Sequence, residues 1–399
     1  MFPSRRRLSS FCLLSLCGSA ALNLCAAQTS DVLCRGGSGK FGAAFHRDVQ
    51  VQVGAAKSGG LATRSCEASL SSGGQEITVA SEAWEVDLDA FGVDLGLGAP
   101  VAAFQVKKSE SECCTDYLIY SLQTPPRLLR TLTGGSSFRA SDMDLDTRVE
   151  VWTDDAAALD GFDNLAFSEL DFPPPVVLRF EQNKLLDAGS EFQPYFDQLI
   201  AKVKGQIEPR DLKEFKASDG KLAPDAAFPA AVAHRLRRVK IAILEITWLY
   251  LNSGRERDAW TALADLWPAT DVERARTAIV KARERGVHTQ VDGAATAPHR
   301  KKRATIFDIT RSQGDESEVI GPQPILLRRP PPEASEGLTT AEISVDLIID
   351  SAGKVRFAGD AKSIEADLIN AAMGWKFIPA QRGTHAVASR TRMAVSARR

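Results

Sequence analysis

The 399 residues, 44% hydrophobic and 25% charged, have the make-up of a globular chain long enough for two or three domains of roughly 100 to 200 residues each. That composition excludes a disordered tail, a collagen and a transport channel. Lys and Arg total 49 against 51 for Asp and Glu, so the net charge of -2 provides no global basic field and no nucleic-acid partner is expected.

The chain opens on Arg5, Arg6 and Arg7, continues through an apolar run from Phe11 to Leu24, and reaches the small residues Cys25, Ala26 and Ala27. This is the three-part pattern of a secretory signal, read as residues 1–27 with cleavage after Ala27. Removing its three arginines takes the net charge from -2 to -5. The mature chain is then periplasmic or secreted. If residues 8–27 stay uncleaved, about 20 residues are enough for an inner-membrane anchor facing the periplasm, the one way the chain would touch a membrane.

Three of the seven cysteines, Cys12, Cys17 and Cys25, fall in that segment, which leaves Cys34, Cys66, Cys113 and Cys114. An even number in an exported protein reads as two disulfides. Adjacent residues on a strand point to opposite faces, so Cys113 and Cys114 are expected to pair separately, most simply with Cys34 and Cys66. A metal role lacks both a CxxC pair and a nearby His.

Residues 28–180 read as a mostly β domain of about eight strands. Val49, Val51 and Val53 alternate with glutamines; Ile77, Val79, Trp84, Val86 and Leu88 keep the same period, and Tyr117 to Leu122 and Val149 to Trp152 add further strands. Asp87-Leu-Asp89-Ala-Phe-Gly92-Val-Asp94 reads as a hairpin turn. Gly36-Gly-Ser-Gly39-Lys40 lacks the leading Gly and the Ser/Thr of a phosphate loop. Pro173-Pro174-Pro175 and a strand from Val176 to Phe180 close the region.

Over 181–290 the period becomes helical. Phe192, Phe196, Leu199, Ile200 and Val203 share one helix face, and Val232, Leu236, Val239, Ile243, Ile246 and Tyr250 share another, which Gly254 ends. Tyr250, Gly254, Ala259 and Leu263 are spaced so that the segment resembles the helical hairpin of a tetratricopeptide repeat, although a single repeat makes no solenoid. His299 to Arg303 and Gly314 to Glu318 mark 291–329 as a solvated linker. The five histidines, His46, His234, His288, His299 and His385, are scattered and read as surface or capping residues. With no HExxH and no nucleophile pattern, the chain is read as no enzyme.

Asp142, Asp144, Asp146, Arg148 and Glu150 stand at positions 1, 3, 5, 7 and 9 of one loop. Alternate acids in a tight turn gather carboxylates on one concave side; with the Arg148 carbonyl and Glu150 they offer the oxygen shell that Ca²⁺ takes. After Gly134-Gly135 and Phe138 and before Val149-Glu-Val-Trp152, the stretch resembles the calcium loop of FG-GAP and VCBS repeats, except that Thr147 stands where that family usually has Gly. The resemblance implies a structural Ca²⁺ site. One copy makes no propeller.

The last span, 330–399, reads as β-β-α-β. Ile343, Val345, Leu347 and Ile349 alternate along a strand; Asp350-Ser-Ala-Gly353 turns; Val355-Arg-Phe357 returns; Ser363 caps a helix striped by Ile364, Leu368, Ala371 and Trp375; and Val387 to Val395 forms the final strand. Residues 343–396, with Trp375-Lys-Phe377-Ile-Pro379-Ala380 before that strand, resemble the TonB C-terminal domain. The resemblance implies a periplasmic module that binds an envelope protein or peptide by adding its strand to an open sheet edge. The chain is therefore read as a multidomain α+β protein for protein-protein interaction in the cell envelope. The alternatives are an anchored TonB-type energy transducer for outer-membrane receptor transport, although residues 8–27 contain no His and the spacer is replaced by folded material, and an enzyme of unrecognised type in the β-rich region.

Overall fold

The computed structural model describes residues 32–46, 48–56, 65–110, 113–170, 173–222, 229–295, 304–310, 319–327, 342–359 and 366–396. Residues 1–27, His299 to Arg303, Gly314 to Glu318, Ser363 and Ile364 lie outside them. The fold is mixed α+β with a β-rich N-terminal region.

That region holds β1 (Cys34–Arg35), β2 (Lys40–Phe45), β3 (Val49–Ala55), β4 (Cys66–Ser72), β5 (Gln75–Ala83), β6 (Glu85–Val93), β7 (Val101–Lys107), β8 (Thr115–Ser121), β9 (Arg127–Gly135), β10 (Arg139–Ser141), β11 (Glu150–Asp154) and β12 (Pro175–Glu181). There are more strands than the eight expected, because short edge strands carry too few residues to show a period. Strands β2 to β5 form one meander and β1-β6-β7-β8-β9 a second sheet. The second sheet is covered on both faces. Val86, Leu88, Phe104 and Tyr120 join Val51 and Leu70 of the meander in one core, while Ala90, Val101, Ala103, Tyr117 and Ile119 join Val151, Val176 and Leu178 in another. The stretch expected to be a hairpin turn at Asp87 to Asp94 is therefore the middle of β6: Asp87 and Asp89 are only 4% and 5% exposed, and the chain turns after Asp94.

The third sheet runs β10-β11-β12, then β13 (Lys184–Asp187) and β14 (Gly293–Ala294) in parallel with β13. The β12–β13 hairpin postpones the helical region by a few residues, turning at Gln182 and Asn183, both at positive φ. Seven helices follow the order α1 (Ala156–Leu159), α2 (Gln193–Lys204), α3 (Pro209–Lys216), α4 (Ala230–Asn252), α5 (Glu256–Leu266), α6 (Val272–Arg283) and α7 (Ala366–Met373) among the described residues. Phe196 and Ile200 of α2 and Ile246 and Leu249 of α4 cover Val177 of the third sheet. The α4–α5 hairpin turns through Gly254 at φ 73°, and Ala259 and Leu263 are buried in it.

Within 291–329, β15 (Ile306–Asp308), β16 (Val319–Ile320) and β17 (Gln323–Leu326) are strands that pair with the C-terminal part. That part contains β18 (Glu342–Ile349), β19 (Val355–Gly359), α7, β20 (Lys376–Ile378), β21 (Ala380–Arg382) and β22 (His385–Ser396). Val345, Leu347, Ile349, Val355, Leu368, Trp375 and Phe377 make its core. Ile378 of β20 also enters the core of the first two sheets, and Ala352 that of the second and third. Val32–Arg399 packs as one unit.

The disulfides differ from expectation. Cys34 on β1 joins Cys66 on β4, and Cys113 joins its neighbour Cys114. The opposite-face premise needed a strand; the pair instead lies in the β7–β8 connection, while Cys34 and Cys66 meet in the core with Cα atoms 5.9 Å apart.

Candidate functional site

The loop between β10 and β11 closes on Asp142. Its buried carboxylate accepts the Asp146 amide on Oδ1 and the Thr147 amide on Oδ2, each at 2.9 Å. These bonds hold Leu145 and Thr147 at φ 59° and 74°. Thr147 adopts the left-handed conformation that a glycine would take freely, at a steric cost of about 1 to 2 kcal/mol.

Carboxylate oxygens of Asp142, Asp144 and Asp146 lie within 4.8 Å of one another. Asp144 is exposed, whereas Asp146 is buried and paired with Arg148, 2.6 Å from Nη2, and Arg148 also reaches Glu191 at 3.1 Å. Glu150 is buried on β11 with Oε1 3.7 Å from Arg179 Nη1; Arg179 is itself held by Glu181 and Glu191 at 2.7 and 2.5 Å. Burial, reinforced by the charges of Asp144 and Asp142, pushes the Glu150 carboxyl up to about 9. Burial pushes Asp142 up to about 6, the Ser351 hydroxyl bond pulling it down and the Asp350 charge pushing it up. Asp144, though exposed, is raised by partial desolvation in the crowded loop and by the Asp146 charge. Hard oxygen donors that repel one another when ionised are the chemistry that a dication relieves, so Asp142, Asp144 and Asp146 fit Ca²⁺ in kind, while Glu150 lies outside that close group and faces Arg179. Arg148 already neutralises Asp146, and an ion would share that carboxylate with it.

The same loop seats the C-terminal turn. Asp350 Oδ2 accepts the Ser141 hydroxyl at 2.8 Å and the Asp142 amide at 3.1 Å, and Ser351 donates to Asp142 Oδ2 at 2.8 Å. Asp350 Oδ1 takes the amides of Ala352 and Lys354, each at 2.9 Å. Gly353 sits at φ 79° where a Cβ would lie 1.9 Å from the Phe377 carbonyl oxygen, so only glycine completes the turn. Beside it, Lys354 Nζ contacts Asp89 Oδ1 at 2.5 Å and Lys376 Nζ contacts Asp87 Oδ2 at 2.7 Å. The other Asp89 oxygen accepts the Tyr117 hydroxyl and the Ala140 amide, both at 2.7 Å. Burial pushes Asp89 upward, but Lys354, Lys376 and these bonds outweigh it and hold the carboxyl below its ordinary value. Sequence reasoning did not connect these four charges. The available signal was two acids among Val86, Leu88, Ala90, Phe91 and Val93, an apolar run in which a charge needs a partner.

Strand β22 pairs with β18 over Ser389–Ser396 and with β21 over its first residues. On the side away from β18, Ala388, Ser389 and Arg390 pair with β15. The open edge expected of the final strand is thus covered in its first half by the chain itself. From Thr391 onward no strand flanks that side among the described residues. A groove of about 640 Å³ lies over the face of this sheet, lined by Ser344 and Asp346 of β18, Arg390, Arg392 and Ala394 of β22, and Asp308 of β15.

His288 is the histidine whose setting differs most from expectation. Its Nε2 lies 3.2 Å from Asn252 Oδ1 and its side chain is 12% exposed, in a short helical turn after α6. Burial, aided by the Arg283 charge, lowers it to about 3. No helix among the described residues is long and apolar enough to cross a membrane. Comparison of the chain with protein-family models, with curated proteins and with solved structures finds no match.

Proposed function

We propose that this is an exported cell-envelope protein whose C-terminal sheet binds an extended segment of another envelope protein by strand addition. The observation that carries the reading is the outer side of β22 beyond Arg390, which offers backbone groups with no strand opposite among the described residues. The strand, turn, strand and helix order of 342–373, followed by the short β20 and β21 before the final strand β22, and the buried Trp375 support the TonB-like resemblance. Export is supported by the Arg5–Arg7 and Phe11–Leu24 pattern and by two disulfides, which persist in oxidising compartments. Ca²⁺ would be held by Asp142, Asp144, Asp146 and the Arg148 carbonyl. Its chemistry would be structural, neutralising carboxylates in the loop on which Asp350 and Ser351 rest.

The C-terminal sheet is bound to β6 through buried ion pairs, so the test uses the whole chain from Gln28 rather than an isolated fragment. By strand alternation the Ala394 backbone points to the same side as that of Arg390. Ala394→Pro removes one outward amide at an exposed site. Envelope proteins captured by the native chain and lost with Ala394→Pro, at unchanged circular dichroism, support the reading; equal capture by both chains overturns it.

A further inference from the structure

The chain supplies its own strand to the edge that a partner would use. Ile306–Asp308 pairs in parallel with Ala388–Arg390, and the Ile309 amide donates to the Arg390 carbonyl at 3.1 Å. The segment is short. Ile306 is 40% exposed, Phe307 and Asp308 are half-buried, and no residue of β15 belongs to any of the five buried cores. Among its contacts, the Arg382 guanidinium lies 5.5 Å from the centre of the Phe307 ring, the Thr305 amide donates to the Leu145 carbonyl at 3.3 Å, and Asp308 Oδ1 accepts the Thr310 amide at 3.1 Å. A parallel ladder is also slightly weaker per residue than the antiparallel one that β22 makes with β18.

Geometry then limits an incoming strand. The flank of β22 not occupied by β15 begins at Thr391, and β15 ends beside Arg390. An extended peptide that takes the full edge must therefore occupy the place of Ile306–Asp308, whereas one that stops at Thr391 gains only Thr391–Ser396. We propose that Ile306–Asp308 is a displaceable strap, a resident competitor that holds the edge in the orientation the partner adopts, and that an extended peptide running parallel to β22 binds by exchange with it. This inference rests on the strand-addition reading above.

The probe is a fluorescently labelled peptide with the strap's own sequence, residues 304–310, added to the chain from Gln28 and read by anisotropy. Ile309→Pro removes the amide given to Arg390 and should free the edge, so this variant should bind the peptide at least tenfold more tightly than the native chain. Adding Arg390→Pro, which removes an outward amide of β22, should abolish the gain. Measurable but equal binding by native chain and Ile309→Pro overturns the strap while leaving strand addition standing. Failure of both to bind overturns the two together. Hydrogen exchange on the native chain gives a check free of variants: the Ile309 amide should exchange at least a hundredfold faster than the β18 amides facing β22, and equal protection overturns displacement.

Discussion

Replacing Lys354 with methionine tests the junction most directly. Lys354 and Asp89 are 7% and 4% exposed in their side chains, and they join elements far apart in sequence, the turn before β19 and the middle of β6. Lys354→Met keeps much of the apolar stem but leaves a buried carboxylate without its nearest cation, a change that costs about 3 to 5 kcal/mol in buried pairs. Asp89 keeps the Tyr117 and Ala140 donors, and Lys376 contributes at longer range, so the lower end, about 3 kcal/mol, is expected. Asp89→Asn should cost a similar amount by stranding Lys354. The double variant removes both charges, and the pair should couple by about 2 to 3 kcal/mol in a cycle. The assay is urea unfolding of the chain from Gln28, followed by tryptophan fluorescence. A loss under about 1 kcal/mol for Lys354→Met, or simple additivity in the cycle, would refute the account of a buried ionic clamp.

Further outcomes follow from the loop, the disulfides and His288. If the acidic loop holds Ca²⁺, EDTA should lower the melting temperature and Asp144→Ala should erase that response; an identical melt with and without chelator would remove the ion. The Cys34–Cys66 bond closes a separation of 32 residues, so Cys34→Ser/Cys66→Ser should cost about 3 to 4 kcal/mol by loop entropy, whereas Cys113→Ser/Cys114→Ser, closing almost no loop, should cost far less. Thiol titration of the unfolded, unreduced chain from Gln28 should find no free cysteine. His288, lowered by burial to about 3 from an ordinary 6.5, stays neutral in the folded chain while the unfolded chain gains a proton below pH 6.5. Stability is therefore lost as pH falls, and between pH 7 and 4.5 the native chain should lose about 2 to 3 kcal/mol more than His288→Gln; parallel profiles would show that His288 is not buried as described.

Much of the local structure was legible from periodicity. Val49, Val51 and Val53 are the buried residues of β3, the Phe196–Val203 part of the expected stripe lies on α2 with Phe192 just before it, and the β18 alternation buries Val345, Leu347 and Ile349. Periodicity failed where a strand is buried on both faces. β6 carries two acids that looked like turn residues because alternation with a polar face normally signals solvent, and here the second face meets another layer. The disulfide pairing failed for a related reason: which side a cysteine faces depends on whether it occupies a strand or its connection.

The amino-acid order alone determined the acidic loop, the Asp-x-x-Gly turn and a helix over Leu368 and Ala371, which ends at Met373 before the Trp375 expected on its stripe, because turn chemistry and side-chain period act over a few residues. Only tertiary structure brought Asp350 and Ser351 onto Asp142, set Lys354 and Lys376 against Asp89 and Asp87, and laid Ile306–Asp308 beside β22. Those contacts join residues separated by tens to hundreds of positions. They are chosen by the desolvation of charges and the satisfaction of backbone groups in the packed chain, which no local window contains.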